Sequence, residues 1–301
     1  MNQWPTNRKA AVAIWGITLF GYVLFVGIPF DRASQLIIIL SGALAFSVGT
    51  DHGALRIFAD WIPFFFLLYA YDFSRGAADQ FGRPILIGQL YDLELAWFGI
   101  DGQIPTVWLQ QHIYNPDSIA IWESLVALMY TSHFVVPWAI IGTLYVRNRD
   151  LWKKFARRII VISMSALITY IAFPAAPPWY AAREGFTDEI FRISTRGWSA
   201  LGIPIAGQII SLGQGVVNQV AAIPSLHAGM AILISIFFWK RSKLPMKFFL
   251  VFYMLGMTFT LVYGGEHYIL DALLGGIYAL AVEYSCRLWE KRKYDLSTSK
   301  R

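Results

Sequence analysis

The segment Gly264-Gly265-Glu266-His267-Tyr268-Ile269-Leu270-Asp271 sets a histidine and an aspartate four residues apart at the head of an apolar stretch. On a helix, that spacing brings both side chains to one face. An aspartate so placed takes the N–H of one ring nitrogen, fixes the tautomer and leaves the other nitrogen free to attack an electrophile. The same pair equally suits a polar cap on a helix end, and H-x-x-x-D alone does not choose between the two.

A second element lies upstream, Ile223-Pro224-Ser225-Leu226-His227-Ala228-Gly229, again at the head of an apolar stretch. Proline suits the first turn of a helix, and the open N–H groups there, with the Ser225 hydroxyl, make an anion site at the positive end of the dipole. Phosphate fits such a turn, and Gly264 and Gly265 are expected to help hold it. His227 is then a candidate general acid that protonates a leaving oxygen, a role worth roughly 10²- to 10⁴-fold in rate. Read alone, it is also an ordinary hydrogen-bonded core histidine. Two such histidines, each beside an anion-friendly turn, favour the chemical reading.

Apolar helices must position these groups. Of 301 residues, 56% are hydrophobic and 15% charged, with a mean hydropathy of +0.50. No water-soluble domain of this size hides that much apolar surface, so lipid must cover it. Eight stretches, at about 11–30, 33–50, 57–72, 119–146, 157–176, 222–240, 246–263 and 266–287, are long enough to cross about 30 Å of hydrocarbon. The expected fold class is an all-α integral membrane protein. The first stretch follows Arg8 and Lys9 as a signal peptide would, yet it lacks an A-x-A cleavage site and reads as a retained helix. The single cysteine, Cys286, can form no disulfide within one chain.

With the N-terminus inside, 19 of the 25 Lys and Arg residues fall on the inner side. Six lie outside: Arg32, Arg75, Arg83, Arg183, Arg192 and Arg196. The positive-inside rule then puts both termini in the cytoplasm and both histidine segments at the extracytoplasmic face. Orientation and contact with anionic inner-leaflet lipid explain the net charge of +6, and no nucleic-acid partner is expected.

Two long outer connections stand out. Residues 73–118 hold an amphipathic stretch from Ile85 to Phe98 suited to a helix lying in the interface. Residues 177–221, rich in Gly, Pro and Arg, read as a cap over a lipid head group. His133 falls near mid-membrane on the fourth span, where it either lines a cavity or bonds a neighbouring helix. Asp51-His52 falls on the inner side, far from the other histidines.

P-S-L-H followed 40 residues later by G-G-E-H-Y-x-x-D resembles the second and third signature motifs of the phosphatidic acid phosphatase type 2 superfamily, the membrane lipid phosphatases and phosphotransferases. Ala176-Pro177-Pro178-Trp179-Tyr180 resembles the A-P-P-W-Y signature of its inositol phosphorylceramide synthase branch. The resemblance implies a phosphohistidine at His267, support from Asp271, acid/base work by His227, and a reaction without metal or cofactor. It also implies a six-helix, phosphatase-like core at 57–290, preceded here by a transmembrane hairpin at 1–56 and followed by a cytoplasmic tail at 291–301.

The chain departs from the phosphatase pattern. Thr260-Leu261 stands where that pattern has Ser-Arg, Gly76 occupies its first-motif lysine position, and Arg83-Pro84 lies a helical hairpin too early. A phosphoryl group then needs another cationic clamp. Arg183, directly after A-P-P-W-Y, is the first candidate, then Arg75 and Arg83, with Arg192 and Arg196 behind them; each also suits an interfacial anchor. Trp179 and Tyr180 suit packing on a sugar or inositol ring.

The expected activity is transfer of a phosphoryl or phospho-head group, phosphoinositol among the candidates. The donor is a phospholipid or polyprenyl phosphate in the bilayer, and the acceptor a lipid or sugar alcohol. With water as acceptor the same site is a phosphatase. A lipid transporter is the reading from another class, and it expects an internal repeat that the sequence does not display.

Overall fold

A computed structural model describes residues 5–27, 32–49, 54–76, 82–215 and 218–298. Among these residues the structure is helical, with no strand beyond isolated bridges. The helices are α1 (Thr6–Phe25), α2 (Arg32–Ser47), α3 (Ala54–Gly76), α4 (Gly88–Phe98), α5 (Pro105–Ile113), α6 (Glu123–Arg147) and α7 (Arg149–Ala172). Three short ones follow, α8 (Pro178–Arg183), α9 (Gly197–Ala200) and α10 (Pro204–Gly215). The chain then closes with α11 (Leu226–Trp239), α12 (Leu244–Tyr263) and α13 (Ile269–Thr298).

Five helices among the described residues, α1, α6, α7, α12 and α13, are long and apolar enough to cross a membrane. α2 and α11 are apolar but shorter. The chain is a multi-pass membrane protein. Large apolar side chains such as Phe25, Phe248 and Leu255 stay exposed on these helices, as a lipid-facing surface requires. α11 starts later than its apolar stretch does, because Pro224 precedes the helix and Ser225 caps it, its hydroxyl accepting from the N–H of Ala228 at 3.3 Å.

The chain divides into two compact units. The first comprises residues 1–72 and 136–156. An aromatic cluster holds it, with Trp61 fully buried against Phe64, Tyr145 and Trp152. Beside that cluster Asp60 accepts two bonds from Arg149, at 2.6 and 2.5 Å.

The second unit, residues 73–135 and 157–301, holds both histidine segments. Its centre is the packing of α11 on α13, which meet at glycines: a Cβ on Gly229 would stand 3.0 Å from the carbonyl oxygen of Gly275. Further along α13, Glu283 and Glu290 pair with the buried Arg158 of α7. At the other end of α13, Leu90 of α4, Val107 of α5, Ala175, Ile190, Ala222 and Tyr268 form one apolar cluster. The stretch read as amphipathic therefore buries one face of α4 here, while Leu93 and Trp97 remain exposed.

The segment read as a cap holds three short helices, α8, α9 and α10. The A-P-P-W-Y motif enters it by way of Ala175, whose N–H donates to Val220 and whose carbonyl accepts from Ala222. On the other side Leu86 bonds to Pro174 and Ala176. Three remote segments are thus joined as short strand-like rungs. Asp51-His52 lies outside the described residues, as does the side chain of Arg75 in the last turn of α3.

Candidate active site

His267 sits in the turn between α12 and α13. Its Nδ1 lies 3.2 Å from Oδ2 of Asp271, which also accepts from the N–H of Tyr268 at 3.0 Å. Asp271 is fully buried and His267 nearly so. Paired in this way, Nδ1 carries the proton and Nε2 is left as the nucleophilic lone pair. Among the described residues Nε2 makes no hydrogen bond.

The turn is built by glycine. Gly265 adopts φ 76°, and a Cβ there would come 2.7 Å from Ile190 Cγ2. A Cβ on Gly264 would stand 2.3 Å from Ser194 Oγ. The amides of both glycines are engaged within the end of α12, donating to Thr260 and Val262. Their carbonyls serve instead: Gly264 accepts from Ile193, and Gly265 from the N–H of Trp179. The cap approaches both glycines too closely for a Cβ at either.

His227, in the first turn of α11, faces this turn. Its ring centroid lies 5.7 Å from that of His267. Tyr130 stacks against it at 5.2 Å, and the His133 ring approaches it to 3.9 Å. The two motifs also touch through backbone, the N–H of Ser225 donating to the carbonyl of Asp271 at 2.9 Å. The Ser225 side chain is fully buried in its capping bond. That bond caps the start of α11.

The arrangement comprises an imidazole paired with an aspartate and a second imidazole whose ring centroid lies 5.7 Å from the first, on residues of the two histidine motifs. A profile described as "PAP2 superfamily" matches residues 90–285, a stretch that contains all of them. The chain belongs to the PAP2 superfamily. This PAP2 chain is also similar to a phosphoinositol dihydroceramide synthase of Bacteroides thetaiotaomicron, 27% identical over 239 residues that cover 71% of each chain. No solved structure matches it significantly.

The arginines of this PAP2 chain divide by environment. Arg83 is exposed. Arg183 turns to its neighbour Glu184 at 3.1 Å and lies over the Tyr180 ring at 4.0 Å. Arg196 pairs with Glu123 and bonds the carbonyls of Asn115 and Ser118. Arg192 alone of these touches the turn that carries His267, its Nη2 lying 2.9 Å from Glu266 Oε2, with the Trp179 ring 4.6 Å beneath it. Trp179 and Tyr180 thus each lie against a guanidinium group.

Several residues escaped the sequence reading. Gln214 of α10 donates both to Glu266 at 2.9 Å and to the Tyr130 hydroxyl at 2.6 Å, so it links the turn that carries His267 to the ring stacked on His227. Gln110 of α5 donates to the Tyr263 carbonyl at 2.8 Å. Glu94 of α4, fully buried, accepts from the N–H groups of Ile269 and Leu270 at 2.8 and 3.1 Å, in the first turn of the helix that carries Asp271. Burial pushes its carboxyl up to about 7; the two amide bonds pull the other way, and the Asp271 charge adds to the rise. The only trace of it in the sequence is an acid within Leu93-Glu94-Leu95.

Proposed function

We propose that this chain is a lipid phosphotransferase that moves a phosphoinositol-type head group from a glycerophospholipid onto the hydroxyl of a ceramide-like acceptor, without a metal. The observation that carries the proposal is the pair of imidazoles 5.7 Å apart, one of them bound to Asp271. Similarity to the phosphoinositol dihydroceramide synthase supports the head group and acceptor. Leu261, where phosphatases of the family carry arginine, favours transfer over hydrolysis.

In the first step His267 Nε2 attacks phosphorus, the bond to the glyceride oxygen breaks, and His227 gives that oxygen its proton. The head group is then held on His267 as a phosphoramidate ester, through a P–N bond. In the second step His227 takes the proton of the acceptor hydroxyl, the acceptor oxygen bonds to phosphorus, and the P–N bond breaks to return His267. The excess of basic residues at the inner connections supports a site facing the extracytoplasmic side, with both termini in the cytoplasm.

The test is to incubate purified chain in detergent with phosphatidylinositol labelled in the head group and isolate the protein. Label is expected on His267 of the wild type, discharged by added ceramide, and absent from His267→Ala. A His267→Ala protein that elutes as a folded species and transfers head group at the wild-type rate overturns the proposal.

A further inference from the structure

Each arginine of the cap faces a carboxylate, but only Arg192 does so at the nucleophile turn. Its Nε and Nη2 bond the two oxygens of Glu266, the residue before His267. Trp179 covers one face of the guanidinium, and the side chain keeps 29% of its surface. A guanidinium carries five N–H donors, and among the described residues Nη1 makes no hydrogen bond. Glu266 is itself 7% exposed and fixed further by Ser194 at 3.0 Å and Gln214 at 2.9 Å. Through Gln214 and Tyr130 the same cluster reaches the ring of His227. Arg192 is thus fixed on the residue before His267, with one amino group to offer a phosphate oxygen.

Its positive charge, however, is offered together with a negative one. A phosphodiester brings a single negative charge to such a pair, whereas a phosphomonoester brings about 1.5 to 2 at pH 7. The second charge would stand uncompensated near Glu266 and Asp271. We infer that the Arg192–Glu266 pair sets the charge of phosphate this site takes, with Arg192 binding the phosphoryl oxygen and Glu266 turning away dianionic monoesters. The inference rests on the phosphotransfer reading above and names the residues that make the site selective for diester donors.

The full-length chain in detergent micelles is assayed with phosphatidylinositol, a diester, and phosphatidic acid, a monoester. Where turnover of the monoester falls below detection, its inhibition constant against phosphatidylinositol replaces it. Glu266→Gln leaves Arg192 uncompensated and is expected to shift preference toward the monoester by roughly tenfold, the scale of one charge-assisted bond. Arg192→Gln removes the cation, lowers kcat/KM for both lipids and is expected to shift preference toward the diester. Opposite shifts cannot come from partial unfolding, which lowers both rates together. If Glu266→Gln does not fold, Arg192→Gln still decides the matter, since its preference either rises or does not. Preferences that stay within about twofold of wild type, or move the same way in both variants, overturn the inference. With His267→Ala inactive in the same assay the transfer reading survives that result; a fully active His267→Ala sinks the reading itself.

Discussion

A Cβ on Gly275 would stand 2.3 Å from the carbonyl oxygen of Ser225 and 3.0 Å from the amide nitrogen of Gly229. No side chain fits there, so α11 and α13 approach as closely as two backbones allow. Those helices carry His227 and Asp271, and the spacing of the imidazoles depends on that approach.

Gly275→Ala is therefore expected to push the two helices apart, at a cost of roughly 1–3 kcal/mol for overpacking, and to lower the thermal midpoint in detergent. Its activity should fall further than its stability, because His227 moves away from His267. Gly142→Ala, where a Cβ meets nothing within 4 Å, serves as the control and should behave as wild type. A Gly275→Ala protein with normal midpoint and normal turnover would contradict the packing described.

Asp271→Asn tests the pairing on His267. An asparagine presents an N–H or a carbonyl to Nδ1 and no longer enforces one tautomer, and comparable changes elsewhere cost about 10⁴-fold in kcat. The expected outcome is a loss of about 10³- to 10⁴-fold in head-group transfer with donor KM little changed. Wild-type kcat in this variant would show that the aspartate does not orient the nucleophile.

Glu94 gives a pH-dependent signature. Its carboxyl is raised from 4.5 to about 7 by burial, so between those values the folded chain binds the proton that the unfolded chain releases. The stability it contributes is full below about 4.5 and is lost as the pH rises through about 7. Glu94→Gln should flatten the dependence of the thermal midpoint on pH across that window. Glu94→Ala leaves two buried amides at the head of α13 without acceptors and should cost about 1–3 kcal/mol for each. An unchanged pH profile in Glu94→Gln would show that another group is responsible.

Metal removal gives a further check. Head-group transfer after treatment with excess chelator should stay within about twofold of the untreated rate, because two imidazoles and an arginine supply the nucleophile, the proton and the charge. Loss of activity that added magnesium or calcium restores would replace the two-histidine step with a metal-assisted one.

What the sequence displayed follows from how far apart the interacting residues lie. Asp271 could be matched to His267 because a helix brings residues four apart to one face. The apolar spans could be found because their period and length are local properties. Glu94 meets Ile269 across 175 residues, and nothing in the segment around it points to that partner. Arg183 ranked first because it follows A-P-P-W-Y, but α8 turns it onto Glu184, while Arg192 is brought to the nucleophile turn by the path of the cap. Ser225 and the two glycines were read as phosphate contacts from their types. Their surroundings give them a capping bond and a close backbone contact, which residue type cannot distinguish from ligand binding.

Ala175 is bonded along both edges, to the segment after α3 and to the one before α11. Its neighbours in the motif are thereby anchored to the same framework that holds the histidines, and the stretch from α8 to α10 arches from there onto the turn before α13, which it meets through Trp179, Ile193 and Gln214. Exchange of acceptor preference between relatives would accordingly travel with that arch. A chimera spliced within it separates Arg192 from Gln214, which hold Glu266 together, while a splice that crosses Ala175 breaks three segments at once.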